Sequence, residues 1–240
     1  MRQLGPGAEP LALFMIIHVP GLLTPALLEN CAVRLEQADW ADGRATAGPQ
    51  SARVKANEQV AETCPIGREL GQMIVSEIER NKLFLSAALP RHVFPPLFNR
   101  YSAGMSFGAH IDNAIRTIPG TPFRIRTDIS ATLFLARPDS YDGGELIIHD
   151  GDATHSVKFP AGDLVLYPAT TLHRVTPVTR GARVAAFFWV QSLIKDGAAR
   201  DILHSMDLSI QELDAALPDS EAVVRLTGCY HNLVRRWSEL

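Results

Sequence analysis

Three cysteines in 240 residues, Cys31, Cys64 and Cys229, are too few and too widely spaced for a disulfide framework, and with no C-x-x-C among them they build no zinc cluster. Free thiols suit a reducing compartment, and a cytoplasmic location is expected. Long apolar runs are also missing. The stretch Leu11 to Val19 falls far short of the roughly 18–20 residues a membrane span needs, and it lacks a basic leader and a small-residue cleavage site. No membrane association is expected. Positive charge is not in surplus either: 23 Lys and Arg stand against 26 Asp and Glu, a net charge of −3, so no nucleic-acid partner is expected. Internal repeats and low-complexity tracts are absent.

A hydrophobic content of 46% is enough for one large core with an appendage. The chemistry concentrates between Asn99 and Trp189. In Ser106-Phe107-Gly108-Ala109-His110-Ile111-Asp112, an extended chain would point His110 and Asp112 from the same face, an imidazole and a carboxylate sharing one space. A second histidine, His173, follows the apolar run Asp163-Leu164-Val165-Leu166-Tyr167-Pro168 after a short polar turn. Two histidines and one carboxylate holding one face of a metal, with the opposite positions open, suit non-haem Fe(II) oxygenases. Ten residues on, Arg183 stands among apolar neighbours, where a guanidinium calls for a planar anionic partner such as a carboxylate. Singly these signals are weak, since H-x-D is common and a lone His or Arg is ordinarily structural or solvated. The ordered set is specific.

That set resembles the iron(II)- and 2-oxoglutarate-dependent dioxygenases, in their prolyl-4-hydroxylase-like branch, and within it the bacterial PKHD-type hydroxylases. The matching stretches are A-D-W-A-D-G-R-A-T-A-G at 38–48, F-P-P-L-F-N-R-Y at 94–101, S-F-G-A-H-I-D-N-A-I-R at 106–116, Y-D-G-G-E-L at 141–146, the long run at 159–183, and L-T-G-C-Y-H-N-L-V-R-R-W at 226–237. Together they span about residues 15 to 240. The resemblance implies Fe(II) held by His110, Asp112 and His173, 2-oxoglutarate as cosubstrate with its distal carboxylate on Arg183, and L-ascorbate as the reductant that restores Fe(II). It also implies hydroxylation with release of succinate and CO2, and a link to iron uptake. Tyr101, nine residues before His110, is a candidate second contact for 2-oxoglutarate and equally a core tyrosine with a satisfied hydroxyl. Ala109 stands where a larger aromatic is expected in close relatives, which would widen the pocket.

Along the chain, Thr24-Pro25 has the signature of a helix start. Residues 44–47 are expected to pair as a short strand, 66–81 to form an amphipathic helix, and the proline-broken stretch 82–100 to be strand-like pieces and turns. Thr127 to Ala136 alternates as a strand, with Ile129, Ala131, Leu133 and Leu135 on one face and Thr132 and Phe134 on the other. Short strands with Gly and Pro turns continue to about residue 193, which predicts a mainly β protein with flanking helices (α+β). Its core is expected to be a double-stranded β-helix of the jelly-roll, cupin-like kind with a helical C-terminal extension. The long connection 113–127 is expected to be a mobile lid. Arg100, Arg116, Arg124 and Arg126 form either a solvated loop or an opening that attracts an anionic substrate.

Three regions follow: a disordered extension over 1–14, a dioxygenase domain over 15–193, and a helical C-terminal region over 194–240. In the last, Ile202, Leu203, Met206, Leu208, Ile210 and Leu213 form one expected buried stripe, and Val224, Leu226, Tyr230, Leu233 and Trp237 another. Gly228, a helix-interior glycine, implies close packing or a kink. The remaining histidines, His18, His92, His149, His155, His204 and His231, read as structural or surface residues. Two rival readings stay open: a metal enzyme on a similar barrel that needs no 2-oxo acid, and a non-catalytic iron- or 2-oxo-acid-binding cupin module. The primary substrate, small molecule or peptidyl residue, is left open, and so is a homo-oligomer.

Overall fold

The computed structural model describes residues 16–46 and 48–240. The expected extension over 1–14 lies outside the described residues, as does Ala47. The hydroxyl of Thr24 accepts a hydrogen bond from the Leu27 amide, and Pro25 fills the first turn, where its missing N–H costs nothing. They open α1 (Pro25–Glu36). Five more helices follow among the described residues: α2 (Pro49–Ala52), α3 (Pro65–Ile78), α4 (Lys82–Ala88), α5 (Gly197–Ala216) and α6 (Glu221–Trp237).

Two local expectations are corrected here. Gly43–Thr46 is a turn of 3-10 helix and not a paired strand. Within 82–100, where strands and turns were expected, α4 forms because the Asn81 side chain accepts from the Phe84 amide at 2.9 Å and Phe84, Ala87 and Ala88 find a buried face. The prolines at 90, 95 and 96 lie downstream and break nothing inside it. The preceding helix ends at Ile78, not Asn81.

Seven strands make the path of the larger antiparallel sheet, in the order Ile17–Val19, Leu164–Pro168, Ile129–Phe134, Ala182–Ser192, Leu97–Ser102, Glu58–Val60, Trp40–Asp42. Pro90–Val93 adds to the far end of Ala182–Ser192. The facing sheet runs Ala153–Val157, Leu146–Asp150, Leu172–Val175, Ser106–His110, Lys55–Ala56. One face of the larger sheet packs Ile129, Ala131 and Leu133 against α1, α3 and α4, while Phe134 turns inward with Tyr101, Val165 and Tyr167 toward the second sheet. This is the mainly β jelly roll with flanking helices that the alternation predicts. Gly181, at φ +69°, makes the turn that launches the Ala182–Ser192 strand; a Cβ there would stand 2.2 Å from the Ser140 carbonyl oxygen.

At the C-terminus, Ser86 on α4 donates to Asp207 at 2.6 Å and accepts from His204 Nδ1 at 2.8 Å, fastening α5 to the barrel. His18 is likewise a clamp, 2.7 Å from Asp163. The expected apolar stripes of these helices are only partly buried: Leu203 is covered, whereas Ile202, Leu208, Leu213, Val224 and Leu226 are exposed, and the buried residue of α6 is Val223, outside the expected stripe. The covered face of α5 instead carries Arg200, donating to the Ile194 carbonyl at 3.0 Å, and His204. Gly228 does not pack closely, since a Cβ built there meets nothing within 4 Å, and α6 runs through it without a break. Gly228→Ala is therefore expected to stabilise the fold by about 0.5–1 kcal/mol, seen as a raised denaturation midpoint. Among the described residues no helix is long and apolar enough to cross a membrane.

Candidate metal centre

The centre is a product of sheet register. In the second sheet His110 is the direct cross-strand partner of His173, so both rings rise from one face with centroids 4.3 Å apart. Asp112, two residues beyond His110 and just past the strand end, folds its carboxylate over them. Its Oδ1 lies 4.0 Å from His110 Nε2 and its Oδ2 3.7 Å from His173 Nε2. All three ligand atoms fall within 4.8 Å of one another. This separation leaves room for an ion among them. Each histidine is oriented by its other nitrogen: His110 Nδ1 donates to the Gly108 carbonyl at 2.8 Å and His173 Nδ1 to the Thr171 carbonyl at 3.0 Å, so both Nε2 atoms present lone pairs to the shared space. Burial, reinforced by His173, pushes His110 down to about 4, which keeps it a neutral donor near neutral pH.

Ser130 completes the orientation by donating to Asp112 Oδ2 at 2.6 Å. Sequence reasoning passed over it, although a hydroxyl on the Thr132–Phe134 face of an apolar strand was the available signal. Ser130→Ala is expected to weaken divalent-metal binding about tenfold or more with little change in fold, measured by metal titration of the apo protein.

Arg183 opens onto the same cavity. It is the cross-strand neighbour of Tyr101, and its guanidinium lies 5.4 Å from the rings of both Tyr101 and Phe134. The side chain is 1% exposed, its Nε has no hydrogen-bond partner, and among the described residues no carboxylate pairs with it. A buried cation in that condition is costly unless a ligand supplies the anion. Tyr101 lies beside it in the cavity wall, buried, with its phenol pushed up to about 12 by burial.

Of the arginines expected at the opening, only Arg116 lines the cavity. Arg100 pairs with Glu58 at 2.8 Å, Arg126 with Asp128 and Glu239 at 2.6 and 2.9 Å, and Arg124 is exposed. The 113–127 connection is a hairpin, Ile115–Thr117 against Arg124–Arg126, with Asn113 and Arg116 facing the cavity. Ala109 is exposed on the opposite face and widens nothing, because alternation from His110 turns it outward. Lys55, Tyr167 and Trp189 also line the space without having been singled out beforehand. No residue of α5 or α6 does.

Two imidazoles, one carboxylate and a buried anion-seeking guanidinium inside a jelly roll define a mononuclear iron oxygenase of the 2-oxo-acid-dependent class. Residues 96–191 match the 2OG-Fe(II) oxygenase superfamily. The fold is shared with a 2OG-Fe(II) oxygenase family oxidoreductase from Burkholderia pseudomallei (TM-score 0.52, 15% identity, 77% of this chain and 87% of that one). It is shared too with a prolyl hydroxylase from Trichoplax adhaerens, solved with a hypoxia inducible factor peptide fragment (TM-score 0.53, 15% identity, 78% and 86%). Residues 197–239 match the PKHD-type hydroxylase C-terminal domain. The PKHD-type hydroxylase of Bordetella pertussis is 55% identical over 226 residues, and that of Burkholderia ambifaria 56% identical over 227, each alignment covering 94% of this chain and 100% of the relative. The chain belongs to the PKHD-type hydroxylases. It is an oxidoreductase, a dioxygenase that uses Fe(II) and 2-oxoglutarate.

Proposed function

We propose that the protein hydroxylates a C–H bond of its substrate with conversion of 2-oxoglutarate to succinate and CO2, on Fe(II) held by His110, Asp112 and His173. The observation that carries this reading is the buried, unpaired guanidinium of Arg183 in the cavity of the three metal-ligating side chains. A dicarboxylate with one end at the metal and the other on Arg183 satisfies both needs at once. The bound iron would supply the oxidising chemistry, activating O2 at the expense of 2-oxoglutarate. The chain's own work is positional. Gly108 and Thr171 carbonyls set the imidazole tautomers, Ser130 holds the aspartate rotamer, and Arg183 with Tyr101 beside it receives the distal carboxylate. The 113–127 hairpin closes over the cavity as a lid. In this reading residues 15–193 form the oxygenase unit and 194–240 close its helical side, away from the metal, with ascorbate acting as external reductant. A role in iron uptake is carried over from the family resemblance, and growth of a deletion strain under iron limitation tests it.

Anaerobic addition of Fe(II) and then 2-oxoglutarate should give a weak visible charge-transfer band, and aeration should yield succinate even without primary substrate. Absence of the band would overturn the 2-oxoglutarate site; a band without succinate would leave a binding module.

A further inference from the structure

Two cations on the cavity wall have no part in the scheme above. Arg116 comes from the lid hairpin, its guanidinium 4.3 Å from the Trp189 ring and 5.2 Å from that of Phe94. Its side chain is 15% exposed, and its nearest carboxylate, Glu62, stands 3.9 Å off, too far for a hydrogen bond. Lys55 enters from the edge strand of the second sheet, 7% exposed, with Nζ 5.4 Å above the Phe107 ring and 3.1 Å from Gln59 Oε1. Both line the same space as the metal-ligating side chains, both are partly desolvated, and Lys55 has the Arg116 charge in view. Surface solvation explains neither residue, and a cation held between aromatic rings is a common way to present a guanidinium or ammonium to a bound anion.

The charge balance says what kind of anion. Among the described residues Arg183, Arg116 and Lys55 face one lining carboxylate, Asp112. The ferrous dication and the 2-oxoglutarate dianion cancel each other, so loading the site leaves the excess of two positive charges unchanged. Glu62 at the rim reduces it to one. Resting on the reading of the site given above, we propose that Arg116 and Lys55 form the anchoring subsite for the primary substrate, and that this substrate bears a free carboxylate. The rings of Trp189 and Phe107 line the cavity beside the two cations, so the part of the substrate next to the carboxylate is apolar. A guanidinium on the lid would make substrate binding and lid closure one event, because the carboxylate draws the hairpin onto the barrel.

The test uses the full chain, anaerobic, loaded with Fe(II) and 2-oxoglutarate, and titrated calorimetrically with N-acetyl-L-phenylalanine, its uncharged amide, and phenyl phosphate. The acid should bind about tenfold or more tighter than the amide, and Arg116→Gln should abolish that preference while Arg116→Lys keeps part of it. Glu62→Gln should tighten the acid about threefold or more by removing the carboxylate nearest Arg116; being a gain of binding, it decides the matter even if Arg116→Gln folds poorly. Equal binding of acid and amide, no binding of the acid up to its solubility limit, or a preference that survives Arg116→Gln would overturn the subsite. A 2-oxoglutarate affinity that falls in Arg116→Gln by the same factor would overturn it too, reducing the residue to general attraction of anions. Tighter binding of the phosphate dianion would overturn the carboxylate assignment. Failure of the metal and cosubstrate reading shows separately, as a missing charge-transfer band before any probe is added.

Discussion

Arg183→Leu should raise the 2-oxoglutarate concentration needed for the charge-transfer band by roughly a hundredfold to several thousandfold, and at the same time make the ligand-free protein more stable. The first effect follows from leaving the distal carboxylate in a dry cavity without a partner, a loss on the order of 3–5 kcal/mol when one member of a buried pair is removed. The second follows from the state of Arg183 before ligand arrives: buried, its Nε unpartnered, and compensated by two aromatic faces at 5.4 Å rather than by a carboxylate. Replacing such a charge with an apolar side chain is expected to stabilise the fold by about 1–3 kcal/mol, somewhat offset by the lost cation–π contacts. Thermal denaturation of the apo variant with an anaerobic 2-oxoglutarate titration reads both signs. A purely structural arginine would give a lowered melting temperature, and that result would remove Arg183 from the site.

His173→Ala should cost the protein its iron. With two ligands in place of three, Fe(II) or the spectroscopic substitute Co(II) should be lost on dialysis, and succinate formation should fall about a thousandfold or more. The contrast with wild type is also thermodynamic. An ion that binds only the folded chain stabilises it by RT ln(1 + [L]/Kd), about 2.7 kcal/mol at a hundred times Kd. Added Co(II) should therefore raise the wild-type melting temperature and leave that of His173→Ala unmoved. Equal metal-induced stabilisation of both proteins would place the ion elsewhere. His173 is buried and its Nε2 faces the Asp112 carboxylate at 3.7 Å across the space it shares with His110, so the substitution removes a ligand from the centre itself.

Much of this site was readable in one dimension because its signals are local. His110 and Asp112 share a face through the two-residue period of an extended chain, and the apolar setting of Arg183 marked it as a cation in need of an anion. The faces of Ile129–Phe134 were likewise readable from alternation. What escaped were residues whose role comes from a neighbour distant in sequence. Ser130 matters through Asp112, Lys55 through the cavity it shares with Arg116, and Ser86 through His204 and Asp207, more than a hundred positions away. The helix Lys82–Ala88 escaped for another reason: a seven-residue helix has little periodicity, and its stability lies in the buried face of Phe84, Ala87 and Ala88. Apolar spacing on α5 and α6 was read as burial, yet spacing defines a face without saying whether anything covers it.

The chain by itself determined which ligands exist, their order, and the alternation that aims each one, since these depend on residue type and backbone period alone. Tertiary structure decided that His110 would pair with His173 across two strands, that one arginine of four would face the cavity, and that the C-terminal helices would stand clear of the metal. Those outcomes depend on sheet register and on which surfaces compete for burial, properties of the assembled core that no single segment carries.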